Sequence, residues 1–193
     1  MRRLLFIVFI LLLARTAEAT IYHVKPTSPG NNANNCTQAQ SASTPKATFA
    51  NLQANCTIAA GDTVYFMSGT YTERISIIGG GSASVPTILK AYPDDPTHAA
   101  IFAPKGTGFS HVMYVEDRSV TIDGLKFDDH WGGGVKVWAK NLNISNITIQ
   151  NMDIRNNSNT TGYGMPIEVE GGGYLTNPAD PCPTCSASDV LIQ

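Results

Sequence analysis

The chain has 193 residues, a formal net charge of −2 and only 15% charged side chains. Such a balance excludes the basic surface that a nucleic-acid partner demands. Glycine, asparagine, threonine, serine, valine and isoleucine dominate, which is a composition of strands and turns, not of helices.

Residues 1–19 read as an export segment. Arg2 and Arg3 provide a positive start, Leu4 to Leu13 an apolar run, and Ala17-Glu18-Ala19 a small-x-small cleavage site. The run is shorter than the roughly 20 residues a membrane span needs, so the cut product, from Thr20 on, is expected without an anchor, outside the cell or in a periplasm. Its loss lowers the basic count from 13 to 10 and the acidic count from 15 to 14, a net charge of −4. In an exported chain the four cysteines favour disulfides. The expected pairs are Cys36 with Cys56, and Cys182 with Cys185. Cys182-Pro-Thr-Cys185 reads as a loop staple and not as half a zinc site or a redox motif, since no second ligand pair or βαβ pattern accompanies it. Six sequons, at Asn35, Asn55, Asn143, Asn146, Asn156 and Asn159, are glycan acceptors in a eukaryotic host and ordinary turn composition otherwise.

Residues 20–60 read as an N-terminal cap. Lys25 to Thr44 is polar, and Ala47 to Gln53 spaces Phe49 and Leu52 as one face of a short amphipathic helix. Residues 61–193 then alternate short strands with turns. Thr63 to Met67 predicts a strand, Ser68-Gly69-Thr70 a turn, and Tyr71 to Ile78, Thr87 to Ala91 and Ala100 to Ala103 further strands. An internal repeat follows. Val120-Thr-Ile-Asp-Gly-Leu-Lys-Phe127 aligns with Ile147-Thr-Ile-Gln-Asn-Met-Asp-Ile154 at an offset of 27 residues, and Val190 to Gln193 opens a third copy. Each copy holds two very short strands joined by a turn at Asp123-Gly124 or Gln150-Asn151. Another strand precedes each copy: Val112 to Val115, Val135 to Trp138 and Pro166 to Val169. Strands this short cannot bury side chains alone, but coils about 4.8 Å apart pair each strand with the one below and pile like residues into interior columns. Sandwich strands are longer and joined by hairpins. The fold class expected is therefore all-β, a parallel β-solenoid of three short strands per coil with a capping helix.

Several segments resemble the pectin-lyase-like right-handed parallel β-helix superfamily: Ala47-Thr-Phe-Ala-Asn-Leu-Gln53, Ala60-Gly-Asp-Thr-Val-Tyr-Phe66, Gly69-Thr-Tyr-Thr-Glu-Arg74, Pro86-Thr-Ile-Leu-Lys-Ala-Tyr-Pro93 and the later repeats. The resemblance implies a helix capping the first coil and a polysaccharide ligand. It spans lyases, glycoside hydrolases and non-catalytic adhesins, so it implies no single activity. The chain stops at Gln193 within a repeat, which reads as a C-terminal truncation of a longer helix.

Alternation decides which side chains face out. With Met113, Val115, Val135, Val137, Ile167 and Val169 inward, Tyr114, Lys136 and Glu168 form one outer column, and Trp138 and Glu170 a second. Together with Trp131 they are the expected substrate-binding residues, because aromatic rings pack on sugar faces while charged groups hold carboxylates or hydroxyls; an ordinary solvated face of weakly paired charges is the alternative. Asp128-Asp129-His130-Trp131 sits on the turn before the strand carrying Lys136. A lyase of uronic-acid polymers would use calcium on Asp128, Asp129 and Glu168, with Lys136 as base. A hydrolase would use Asp129 and Glu168 as its carboxylate pair. Turn-forming is the commoner role for adjacent acids, and His130 reads as a surface residue. The remaining alternative is a carbohydrate-binding, adhesin-like or structural module without turnover.

Overall fold

The computed structural model describes residues 18–77, 81–82, 84–93, 100–105, 111–116, 119–130, 132–139, 143–155, 165–170 and 187–193. The expected export segment lies outside them except for its last two residues, as do Cys182 and Cys185. Among the described residues no helix is long and apolar enough to cross a membrane.

In chain order the strands are β1 (Ile21–Val24), β2 (Thr63–Phe66), β3 (Gly69–Tyr71), β4 (Ile75–Ile77), β5 (Thr87–Ala91), β6 (Ala100–Phe102), β7 (His111–Val115), β8 (Val120–Asp123), β9 (Lys126–Phe127), β10 (Gly133–Trp138), β11 (Ile147–Gln150), β12 (Asp153–Ile154), β13 (Ile167–Glu170) and β14 (Val190–Ile192). They form three sheets. Sheet I has the order β1-β2-β5-β8-β11-β14, sheet II β3-β6-β9-β12 and sheet III β4-β7-β10-β13. Every strand pairing is parallel, and each coil visits sheets I, II and III in turn. This is a parallel β-helix with three strands per coil, right-handed as parallel crossovers are.

The register explains why such short strands hold. In sheet I, Val64, Leu89, Ile122 and Ile149 stand in one column, and all four are buried. In sheet II the column is Tyr71, Phe102, Phe127 and Ile154. Its rings stack at 4.7 Å between Tyr71 and Phe102 and meet edge to face at 5.5 Å between Phe102 and Phe127. Sheet III contributes Ile75, Met113, Val135 and Ile167, and beside them Ile77, Val115, Val137 and Val169. Val169 is expected inward and does stand in that column, yet it is 45% exposed, because no described strand lies beyond β13.

Turn backbone repeats with the coils. Ser119, Asn146 and Asp189 each precede a sheet I strand, and each has a positive φ, of 59°, 58° and 50°. Gly124 and Asn151 occupy matching corners between sheets I and II with φ of 68° and 54°. Left-handed backbone favours Gly, Asn and Asp, so Gly124, Asn146, Asn151 and Asp189 suit these corners.

The cap is a helix, α1 (Phe49–Asn55), entered through Thr48, whose hydroxyl accepts the Asn51 N–H at 3.2 Å. The Glu73 carboxylate, from the turn after β3, accepts the N–H groups of Phe49 at 2.8 Å and Ala50 at 3.1 Å. Burial raises the Glu73 pKa, and those two hydrogen bonds partly oppose the rise. Phe49 and Leu52 turn inward over the first coil. Cys36 is bonded to Cys56, as expected, with Cα atoms 5.6 Å apart.

Three expectations change. Ile21–Val24, just before the polar segment in what reads as the cap, is a strand, and it pairs with β2 to begin sheet I. Gly69 and Thr70 are strand, not turn, because Tyr71 must enter the aromatic column opposite Phe102. The run Tyr71 to Ile78 is divided at Thr72–Arg74, where the chain leaves sheet II for sheet III.

Two substitutions separate the core from the staple. Phe102→Ala should cost about 3–5 kcal/mol by emptying the middle of the aromatic column. Cys36→Ser with Cys56→Ser, opening a 20-residue separation, should cost about 3 kcal/mol. Both are read from urea midpoints, and a Phe102→Ala loss below that of the disulfide variant would contradict the column as the main source of stability.

Candidate functional site

The outer face of sheet III gathers the charged and aromatic side chains. Register places Ser76, Tyr114, Lys136 and Glu168 in one column and Trp138 beside Glu170 in the next. Lys136 is central: its ammonium is 3.1 Å from Glu168 Oε1, contacts Glu170 Oε2 still more closely, and lies 5.3 Å from the Trp138 ring centroid. Arg74, from the turn before β4, holds its guanidinium carbon 4.6 Å from the Tyr114 ring centroid. Tyr114 and Trp138 are 6.3 Å apart. Tyr114 faces away from the core but is not open to solvent, being only 6% exposed beneath these neighbours.

His111 completes the cluster, and alternation from Met113 hides it. Strict alternation would send His111 inward with Met113. Val112 and Met113, however, both join the core, so the alternation slips by one and His111 comes out beside Tyr114, ring centroids 5.5 Å apart. Its Nε2 reaches Glu168 Oε2 at 2.8 Å, two coils along the sheet. Gly133, paired with His111 in the intervening strand, makes this reach possible. A Cβ there would lie 2.5 Å from the His111 ring and 2.8 Å from the Met165 carbonyl oxygen. The only sequence signal for this arrangement is Gly132-Gly133-Gly134 ahead of a strand, which marks close approach of a neighbour.

Two members of the cluster, His111 and Lys136, have shifted protonation equilibria. Burial lowers the His111 pKa, Lys136 lowers it further, and Glu168 only partly offsets them. The imidazole is therefore neutral near pH 7 and donates from Nε2 to the carboxylate. Burial alone would lower Lys136, but hydrogen bonds and charges from Glu170 and Glu168 outweigh it and leave its pKa above the ordinary lysine value. Lys136 is thus an ammonium. The side chains of Lys136, Glu168 and Glu170 are 16%, 22% and 22% exposed, enough for a ligand to touch all three.

The turn acids lie differently. Asp128 pairs with Lys126 at 3.0 Å and Asp129 with Lys105 at 2.6 Å. Asp129 has φ of 52°, the turn-forming role. His130 is fully buried, not a surface residue, and sits 6.3 Å from the Phe127 ring, its pKa lowered by burial. Trp131 lies outside the described residues. Among the described residues no three His, Cys, Asp or Glu side chains are grouped to hold a metal ion, and both turn aspartates are committed to lysines. The calcium expected on Asp128, Asp129 and Glu168 thus has no grouped donor set among the described residues.

Fold and face together define a parallel β-helix protein with an aromatic and zwitterionic patch on one sheet. No family model and no curated protein matches the chain. Among solved structures it is similar to one named rhamnogalacturonan lyase, with a TM-score of 0.55 at 18% identity. The likeness covers 90% of this chain and 50% of that one, so the chain spans about half the length of that structure. At this identity it shows the fold, in agreement with the fold the sequence resemblance implies.

Stability should track the buried histidines. Burial lowers the pKa of His23, His111 and His130 alike. Below the unfolded value of about 6.5 the unfolded chain binds protons that the folded chain refuses, so these groups make stability fall as pH drops. His111→Gln should shrink that fall in urea titrations between about pH 6.5 and 5; an unchanged slope would contradict a neutral, buried His111.

Proposed function

We propose that this is an exported protein acting on an acidic polysaccharide at the outer face of sheet III, by β-elimination. The observation that carries the reading is the Lys136 ammonium held between two glutamates beside Trp138. The structural neighbour's name, rhamnogalacturonan lyase, and the disulfide, which suits an oxidising compartment, support it.

The roles follow from the protonation states. Trp138 offers a ring for the flat face of a sugar. A uronate carboxylate competes with Glu168 and Glu170 for Lys136, and the ammonium then stabilises charge developing at that carboxyl group in the transition state. We assign Lys136 this role in place of the base expected from sequence, since its two glutamates hold it protonated. Glu168, released from Lys136 but still accepting from His111, takes the proton on the carbon next to the carboxyl group. The electron pair forms the carbon–carbon double bond, and the glycosidic oxygen leaves and takes a proton from solvent.

Hydrolysis is the second reading, favoured by the two glutamates that share one ammonium. Two carboxylates on one face are the pair that glycoside hydrolysis requires, one as acid and one as base or nucleophile.

The test incubates the full chain with pectate, alginate and rhamnogalacturonan while following ultraviolet absorbance of unsaturated uronides and new reducing ends. Lyase action gives both, persists in a metal chelator, and falls about 10²–10⁴-fold in Glu168→Gln. New reducing ends without absorbance would shift the assignment to hydrolysis. Binding without either signal would sink catalysis and leave the adhesin-like alternative.

A further inference from the structure

The corner between sheets I and II, on the side of the helix away from sheet III, folds inward. Asp123 at the end of β8 and Lys126 at the start of β9 both alternate away from the core. On a convex corner two such side chains would diverge. Here they line a single cavity of about 500 Å³, with Lys90, Tyr92 and Pro93 from the coil before and Asn151 from the coil after. That volume falls within the usual range for small-ligand sites.

Its walls are unlike an ordinary solvated turn. Ala91 and Leu125 make an apolar floor. Tyr92 is held upright by ring contacts of 5.5 Å to Tyr65 and 5.5 Å to His23, so little ordering is left to do when something packs on it. Asn151 Nδ2 donates to Asp123 Oδ1 at 2.7 Å across the coils, which orients the carboxylate and leaves its second oxygen for another donor. Among the described residues the Lys90 ammonium makes no hydrogen bond or ion pair; it lies 5.7 Å from the Tyr65 ring centroid. Of the charged residues on the groove, Lys90, Lys126, Asp123 and Asp153, Lys126 is paired with Asp128 and Asp153 with Arg155, so the lining carries no net charge.

We propose that this corner groove is a second glycan-binding subsite, selective for a neutral sugar unit. An aromatic plate over an apolar floor suits the non-polar face of a pyranose. Interspersed donors and acceptors with no net charge suit hydroxyls and give a uronate no net attraction. The subsite does not depend on the chemistry proposed for sheet III, and it fits a protein that grips one part of a chain-like ligand while another part lies elsewhere on the helix.

The experiment titrates the full chain with cellotetraose, xylotetraose and β-linked galactotetraose, and with trigalacturonate, by saturation-transfer NMR. Wild type should bind at least one neutral oligosaccharide, and Lys136→Ala, which lacks the sheet III ammonium, should bind it more tightly than trigalacturonate. Tyr92→Ala and, as a half-buried change outside the core columns, Asp123→Ala should each weaken it by about ten-fold or more, with circular dichroism confirming the fold. Lys136→Ala, on sheet III, should leave neutral binding unchanged. The proposal is overturned if no neutral oligosaccharide binds, if folded Asp123→Ala binds as wild type does, or if Lys136→Ala removes the neutral binding.

Discussion

A strand of two to six residues cannot keep its own side chains dry, and in this molecule every strand depends on the coil beneath it. Parallel pairing in register supplies both needs at once: backbone donors and acceptors are met by the neighbouring coil, and equal residues fall on equal residues. The Val64–Leu89–Ile122–Ile149 column and the Tyr71–Phe102–Phe127 ladder are that constraint made visible. Turns are free to vary as long as register returns. The steps from Thr63 to Ile88, Thr87 to Val120, Val120 to Ile147 and Ile147 to Val190 differ widely in length, yet each lands its strand in the same sheet.

The same stacking builds chemistry on the outside. Because Tyr114, Lys136 and Glu168 share a register position, one coil spacing of about 4.8 Å sets them within reach of one another without any loop being ordered for the purpose. A site made this way is as rigid as the sheet. Its electrostatics are collective: Glu168 is held by a neutral imidazole on one oxygen and an ammonium on the other, while Glu170 shares the ammonium. Removing any one member leaves a part-buried charge short of a partner, which is costly, so the cluster behaves as a unit.

Two outer surfaces of the helix thus differ in kind. Sheet III presents cations and carboxylates interlocked on a flat face beside indole and phenol rings. The sheet I–II corner presents a concave, charge-balanced groove with a single well-braced tyrosine. Under the two proposals, a polymer would meet both surfaces only by wrapping the helix or by branching.

Much of this was legible in the residue order. Short β-branched runs, a 27-residue repeat and glycine or asparagine corners point to stacking, which buries strands this short; period-two alternation gives the Tyr114–Lys136–Glu168 column. The Cys36–Cys56 pair was legible from export logic. Three things were not. Ile21–Val24 is too short and too ambiguous to read as a strand without its partner β2. The slip at Val112–Met113, which brings out His111, is a local departure from the very alternation that sequence reading relies on. The protonation of Lys136 and the ion pairing of Asp128 and Asp129 depend on distances between residues far apart in the chain. Sequence determined the repeat and so the fold; tertiary structure decided which outward residues touch, because contact across coils is fixed by how the unequal turns restore register and not by the order of residues within any one of them.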